Sequence, residues 1–249
     1  MSDNAKQGVT RREFAASAMA GAALVAGAGP ASAQAGNAPA KPGKAAIEPT
    51  RLVSAGETLR PEIVGQFGIV AAGRHYAVAA GTRILLAGGN ATDAGVAAVF
   101  AAAVTEISHF GFGGEAPTII YDGKTKKVSL ISGQGVAPGL ATPDKFADAG
   151  VIPGNGPNGG TVPAMVDAMA LALQLNGTMG LHEVMQPAIE LADGFVMYNF
   201  LAEVFVSQQK ATSKYKDAYD AYYPGGQLPR TGEIFRQPNL ARAMRIIAD

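Results

Sequence analysis

A nearly uncharged helix constrains this chain more than any other feature of its sequence. A first helical stretch, residues 76–86, ends at Gly88-Gly89, and Asn90 then caps a second helix, with Asp93 completing a capping box. No charged residue stands between Asp93 and Glu106. Apolar side chains recur along this helix at Val96, Val99, Phe100, Ala103, Val104 and Ile107. A helix that is apolar most of the way round is buried between layers, so it belongs to something larger than a two-layer domain.

The segments after this helix predict a hairpin followed mainly by helices. Residues 117–121 and 127–131 are rich in β-branched side chains, and Asp122-Gly123 between them is expected to supply the positive backbone angles of a tight connection. The run 68–72 is also of strand type. Further helices are predicted at 162–175, with Thr161 as its cap and Pro163 in its first turn, and near 182–192, 198–209 and 240–248.

The N-terminal residues predict an export signal. Arg11 and Arg12 precede an alanine-rich run at 15–29, and the small residues around Ala33 offer a cleavage site. We interpret residues 1–35 as a twin-arginine signal that sends the protein to the periplasm or outside the cell, because about fifteen apolar residues are too few for a membrane span of roughly twenty. An uncleaved anchor or a chance alanine-rich tail is the alternative. Residues 36–60 are predicted to be a linker, and 61–249 a partial domain.

Composition argues against several classes of function. The chain has 20 basic and 20 acidic residues, so no field of one sign is available to attract nucleic acid. Cysteine is absent, which excludes disulfides, thiolate catalysis and cysteine-bound zinc. The histidines His75, His109 and His182 stand far apart in the sequence. We therefore expect no cofactor and no metal.

Six short motifs carry a family resemblance. They are AGGNATDA at 87–94, GFGG at 111–114, APGLATPD at 137–144, GTVP at 160–163, QPAIELA at 186–192 followed by GF at 194–195, and GEIFRQPNLA at 232–241. In this order and spacing they resemble the N-terminal half of the gamma-glutamyltranspeptidases.

The resemblance implies an α+β fold, the αββα sandwich of the N-terminal-nucleophile hydrolases, of which this chain would carry only the helix-rich N-terminal part. It also implies a precursor that cuts itself. The downstream small subunit would begin with a threonine whose hydroxyl attacks a gamma-glutamyl or related acyl amide while its own amine serves as base. No catalytic residue is then expected in this chain. Its residues would pack against the sheets and help to line the pocket for a small-molecule substrate.

One departure from the family bears on the substrate. Members that use glutathione place an arginine a few residues before the Ala-Pro matched here by Ala137-Pro138, where it holds the glutamyl α-carboxylate. This chain has Gln134 at that position. Glutamine lacks the charged fork of arginine, so selectivity for an α-amino-acid donor should fall by about 2–4 kcal/mol. A register slip, or another basic residue such as Arg74 in that role, is the alternative.

Glu115 is a second candidate site residue. It directly follows the glycine-rich segment and precedes the hairpin, in a neighbourhood almost free of charge. It could line the substrate pocket, or its carboxylate could accept hydrogen bonds from turn amides.

Two functions remain open on these residues. The first is an exported amidohydrolase or acyltransferase that is active only with its downstream half. The second is a non-catalytic exported binding module on the same scaffold. The helical pattern of 238–249 stops without a cap, so we expect the chain to be an incomplete precursor.

Overall fold

A computed structural model describes residues 62–148, 150–152, 154 and 156–249. The predicted signal, with Arg11, Arg12 and Ala33, and the predicted linker lie outside these residues. The helices of the described part are α1 (His75–Leu86), α2 (Ala91–Thr105), α3 (Pro143–Phe146), α4 (Met165–Asn176), α5 (Leu181–Asp193), α6 (Asn199–Thr212), α7 (Lys216–Tyr222) and α8 (Pro238–Ala248). The strands are β1 (Thr118–Asp122), β2 (Lys127–Ile131), β3 (Phe195–Val196) and β4 (Ile234–Phe235). None of the helices in this part of the chain is both long enough and apolar enough to cross a membrane.

Helix α2 is the centre of the core. It begins with the predicted capping box, in which the Asn90 side chain accepts from the Asp93 amide at 3.1 Å while the Asp93 carboxylate accepts from the Asn90 amide at 2.8 Å. Helices α1, α4 and α5 pack against it. Ala97, Phe100 and Val104 are fully buried. The prediction that this helix is buried on most of its circumference is therefore confirmed.

Side chains from distant elements hold the C-terminal end of α2. The last carbonyls of a helix have no partner within it. Here Gln237, just before α8, donates from Nε2 to the Val104 carbonyl at 2.8 Å, and the Tyr198 hydroxyl donates to the Thr105 carbonyl at 2.9 Å. These bonds fix the C-terminal end of α2, from which residues 106–110 lead to the glycine-rich segment 111–114.

The hairpin forms where it was predicted, but its turn differs. Strands β1 and β2 pair antiparallel from Thr118 opposite Ile131 to Asp122 opposite Lys127. Gly123 does not take a positive φ, and the left-handed residue is Lys126, with φ of 59°. The connection is four residues long because the Asp122 carboxylate accepts from the Lys124 amide and the Thr125 hydroxyl, which replaces the tight Asp-Gly turn that we expected.

Two further predictions were wrong. Helix α4 begins at Met165 with Ala164 as its N-cap, so Thr161 is not the cap and Pro163 precedes the helix. The reason is that the Val162 amide donates to the Val136 carbonyl at 3.0 Å, which holds this residue outside the helix. The run 68–72 forms no strand in the described part of the chain, where no neighbouring strand pairs with it. The helices predicted near 182–192, 198–209 and 240–248 are confirmed as α5, α6 and α8.

Candidate functional site

The open end of the hairpin brings the two predicted site residues to the same place. The Ala116 amide donates to the Gly133 carbonyl at 2.9 Å, which extends the β1–β2 ladder beyond its last strand pair. Glu115 precedes Ala116 and Gln134 follows Gly133, so both predicted site residues lie next to this bond. Gly133 has φ of 55°, a left-handed conformation that glycine adopts without strain.

A third segment closes this region. The Gly114 carbonyl accepts from the amides of Ala164 and Met165 at 3.3 and 3.1 Å, while Val162 is bonded to Val136. The stretches 114–116, 133–136 and 162–165 are therefore joined by backbone hydrogen bonds. These backbone bonds help to fix their relative positions, and they do not involve the exposed side chains of this region.

Gln134 is exposed at this junction. Its side chain takes part in none of the hydrogen bonds found among the described residues. Arg74, the alternative residue for a carboxylate-binding role, packs its guanidinium carbon 4.6 Å from the Phe200 ring centroid and 5.4 Å from that of Tyr198. Such stacking against aromatic faces is a cation–π arrangement that holds the arginine in place.

Glu115 lines a cleft of about 880 Å³ beside the junction, and Gln134 is not among the cleft residues of the described chain. No hydrogen bond from a turn amide to the Glu115 carboxylate is present among the described residues. The polar side chains of the cleft that sequence reasoning did not single out are Ser108, His109, Asp220, Tyr222, Arg236, Gln237 and Asn239. Arg236, Gln237 and Asn239 belong to the motif at 232–241. That motif was the sequence signal that could have pointed to them.

The glycine-rich segment forms one wall of the cleft. Its Gly114 amide donates to the Gly111 carbonyl at 2.9 Å, and its Phe112 ring stacks on buried Phe100 of α2 with centroids 5.7 Å apart. Tyr222 also lines the cleft, and burial raises the pKa of its hydroxyl above its usual value. Tyr222 therefore stays protonated and available as a donor at neutral pH.

The fully buried carboxylate of Asp93 anchors the other end of α2. It accepts from the Thr178 hydroxyl at 2.6 Å and from the amides of Thr178, Met179 and Asn90. Burial alone would raise the pKa of this carboxyl, but these hydrogen bonds outweigh it and the pKa lies below its usual value. Asp93 is therefore an ionised structural anchor, and it ties α2 to the loop between α4 and α5.

Among the described residues, no three histidine, cysteine or carboxylate side chains are grouped so that they could hold a metal ion.

Comparison with known proteins identifies the family. The family model described as gamma-glutamyltranspeptidase matches residues 77–249. The chain belongs to the gamma-glutamyltranspeptidase family. The glutathione hydrolase proenzyme of Bacillus subtilis (strain 168) is 36% identical over 191 residues, which are 74% of this chain and 32% of that protein. The acylase ACY 1 proenzyme of Pseudomonas sp. (strain V22) is 33% identical over 198 residues, covering 74% of this chain and 35% of that protein.

The fold agrees with this assignment. The crystal structure of Helicobacter pylori gamma-glutamyltranspeptidase superposes with a TM-score of 0.71 at 27% identity, covering 76% of this chain and 56% of that one. The predicted family and fold class are confirmed: the described residues form a helix-rich part of the N-terminal-nucleophile hydrolase fold. The chain spans about a third of the length of the curated relatives that it matches. The names of these relatives denote enzymes, and they lend no support to a non-catalytic binding module.

Proposed function

We propose that this chain is the large-subunit part of an exported amide hydrolase or acyltransferase, which acts on a gamma-glutamyl or related acyl amide. The nucleophile would be an N-terminal threonine of a downstream part of the precursor, freed by self-cleavage, with its own amine as the base. The chain alone would then be inactive. Residues 1–35, with Arg11, Arg12 and cleavage near Ala33, would serve as the export signal.

The match of the family model to residues 77–249 carries this proposal. A structural feature adds to it. Ile119, Tyr121, Val128 and Leu130 lie on one face of the hairpin, because directly opposed residues of an antiparallel pair share a face, and each is at least 60% exposed. In an αββα sandwich a second sheet covers such a face. An uncovered apolar face of this kind supports a downstream part that packs against it.

The donor would be an acyl amide that lacks the α-amino-acid group of glutathione. By the resemblance, Gln134 stands at the position of the family's carboxylate-binding arginine, and it carries no charge. Arg74 is engaged with Tyr198 and Phe200. The acylase name of one relative is consistent with a donor of this type.

The test uses the chain expressed with the reading frame that follows it. Self-cleavage is measured by mass spectrometry, and turnover is measured with a gamma-glutamyl anilide and a glutaryl anilide. We expect cleavage, and a higher kcat/KM for the glutaryl substrate. Gln134→Arg should shift the ratio of the two kcat/KM values toward gamma-glutamyl by roughly 30- to 900-fold, the equivalent of about 2–4 kcal/mol.

Gln227→Arg is the matched control, since it adds the same charge at an exposed position away from the junction and should leave the ratio unchanged. A wild-type preference for the gamma-glutamyl anilide would refute the donor assignment. Absence of both cleavage and turnover would refute the enzymatic proposal itself.

A further inference from the structure

Methionine is the residue of this chain that oxidants attack most readily, because the sequence contains no cysteine and no tryptophan. Met1 and Met19 lie outside the described residues, which leaves six of the eight methionines. Met179 is partly buried. The other five are at most 1% exposed, and they are Met165, Met169, Met185, Met197 and Met244. Among the described methionines, an oxidant in solution therefore reaches Met179 first.

The sulfur of Met179 lies in a narrow contact between two connections of the chain. Met179 belongs to the loop that joins α4 to α5, and its Sδ faces Gly89 in the connection from α1 to α2. A Cβ atom at Gly89 would lie 3.0 Å from this Sδ and 2.7 Å from Cγ2 of Ile84. Gly89 is itself fixed, since its amide donates to the Ile84 carbonyl at 3.0 Å. An oxygen atom added to the sulfur therefore has little room on this side.

The backbone of the same loop supplies donors to the buried Asp93 carboxylate. The Met179 amide donates to it at 3.2 Å, and Thr178 donates its amide at 2.9 Å and its hydroxyl at 2.6 Å. Asp93 is 0% exposed, so water cannot replace these donors without opening the structure. A shift of the loop away from Gly89 therefore weakens the anchor at the N-terminal end of α2.

We propose that Met179 is an oxidation site through which a hydroperoxide loosens the N-terminal end of α2. The thioether sulfur attacks one peroxide oxygen, the S–O bond forms and the O–O bond breaks. The hydroperoxide proton passes to the departing oxygen, which leaves as an alcohol, or as water when the oxidant is hydrogen peroxide. The sulfoxide is larger and more polar than the thioether, so it leaves the contact with Gly89 and moves the loop with it.

This site is separate from the cleft, because neither Met179 nor Asp93 lines it. Its test needs no substrate turnover. The result is therefore independent of the proposed amide hydrolysis or acyl transfer.

The rate of oxidation is measured first, on the 249-residue chain after circular dichroism has shown a cooperative thermal transition. The chain is treated with a limiting amount of hydrogen peroxide, and peptide mass spectrometry follows each methionine. We expect Met179 to oxidise at least roughly tenfold faster than each of the five buried methionines. Met1 and Met19 are quantified in their own peptides and do not enter this ratio. Equal rates for Met179 and the buried methionines would overturn the assignment.

The effect on the anchor is measured in the same samples. Oxidation should lower Tm by roughly 2 to 6 °C. Hydrogen exchange of the Thr178 and Met179 amides should become at least roughly tenfold faster, because their bonds to Asp93 open more often. Reduction by the methionine sulfoxide reductases for both sulfoxide epimers should restore both values.

Three variants separate oxidation of Met179 from other effects of peroxide. Met179→Leu keeps a similar apolar volume without sulfur and should lose the peroxide-dependent Tm shift. Met169→Leu, the matched control at a buried methionine, should keep that shift. Met179→Gln, whose amide imitates the polarity of the sulfoxide, should lower Tm without peroxide. Equal shifts in wild type and Met179→Leu, or complete oxidation of Met179 with unchanged Tm and amide exchange, would overturn the proposal.

Discussion

Helix α2 and the β1–β2 hairpin differ in how completely the described chain covers their apolar surfaces. In α2 the apolar surface is covered by α1, α4 and α5, and the end carbonyls are bonded by Gln237 and Tyr198. In the hairpin the backbone ladder is complete, yet only one face is covered: Ile131 is 6% exposed, whereas Leu130 is 73% exposed. Backbone pairing is local and forms within the hairpin, but burial of a sheet face needs a second surface.

The comparison predicts where stability resides. A side chain in the helical region should contribute strongly to the free energy of unfolding of this chain, and one on the open hairpin face should contribute almost nothing until another surface covers it. Substitutions that are chemically matched between the two regions test this difference.

The largest effect is expected for the same truncation made in both regions. Ile189→Ala in α5, where the side chain is 1% exposed, should lower the free energy of unfolding by about 2–5 kcal/mol through lost burial and a cavity. Ile119→Ala in β1, where the side chain is 73% exposed, should change it by less than about 0.5 kcal/mol. Urea unfolding of both variants gives the comparison. Equal losses in the 249-residue chain would contradict the distinction, and a larger Ile119→Ala loss in the chain expressed with the reading frame that follows it would show that this face becomes covered.

A smaller loss is expected for Asp93→Asn at the N-terminal end of α2. The amide group would face donors from Thr178 and Met179, so the free energy of unfolding at neutral pH should fall by about 1–3 kcal/mol. The pKa of Asp93 is lowered in the folded state, so its contribution is present above the unfolded pKa of about 4 and is lost as pH falls through the folded pKa. Unfolding measured from pH 7 to pH 3 should therefore show the wild type and the variant converging in acid.

Asp167→Asn, at an exposed aspartate in α4, controls for loss of a carboxylate and should follow the wild-type pH dependence. A constant difference between wild type and Asp93→Asn across this pH range would mean that Asp93 does not act as a buried anion.

The smallest effect is expected in the hairpin turn. Lys126→Gly removes the cost of a left-handed conformation and should raise the free energy of unfolding by up to about 1 kcal/mol, after the extra entropy of glycine in the unfolded chain is subtracted. Gly123→Ala is the matched test of the turn predicted from Asp-Gly. It should be nearly neutral, because Gly123 does not have a positive φ and its Cβ position is open. If Gly123→Ala lowered the free energy of unfolding by more than about 1 kcal/mol, that result would support the tight Asp-Gly turn instead.

Much of the fold could be predicted because its determinants are local in the sequence. The uncharged run after Asp93, the capping box at Asn90 and the facing β-branched segments each encode an element through side chains a few residues apart. The family was identified from six short motifs on the same basis, and Gln134 was singled out by its place three residues before one of them. The start of α4 was missed because a bond between Val162 and Val136 overrides the helix signal of Thr161 and Pro163.

The sequence by itself determined most of the helices, the two strands of the hairpin, and the family, since period, caps and turn residues act over a few positions. Only the tertiary structure decided that Glu115 and Arg236 line one cleft, that Arg74 is engaged by Tyr198 and Phe200, and that one hairpin face stays open. These depend on how elements distant in the chain pack, and the free energy of that packing comes from surfaces that no local pattern specifies.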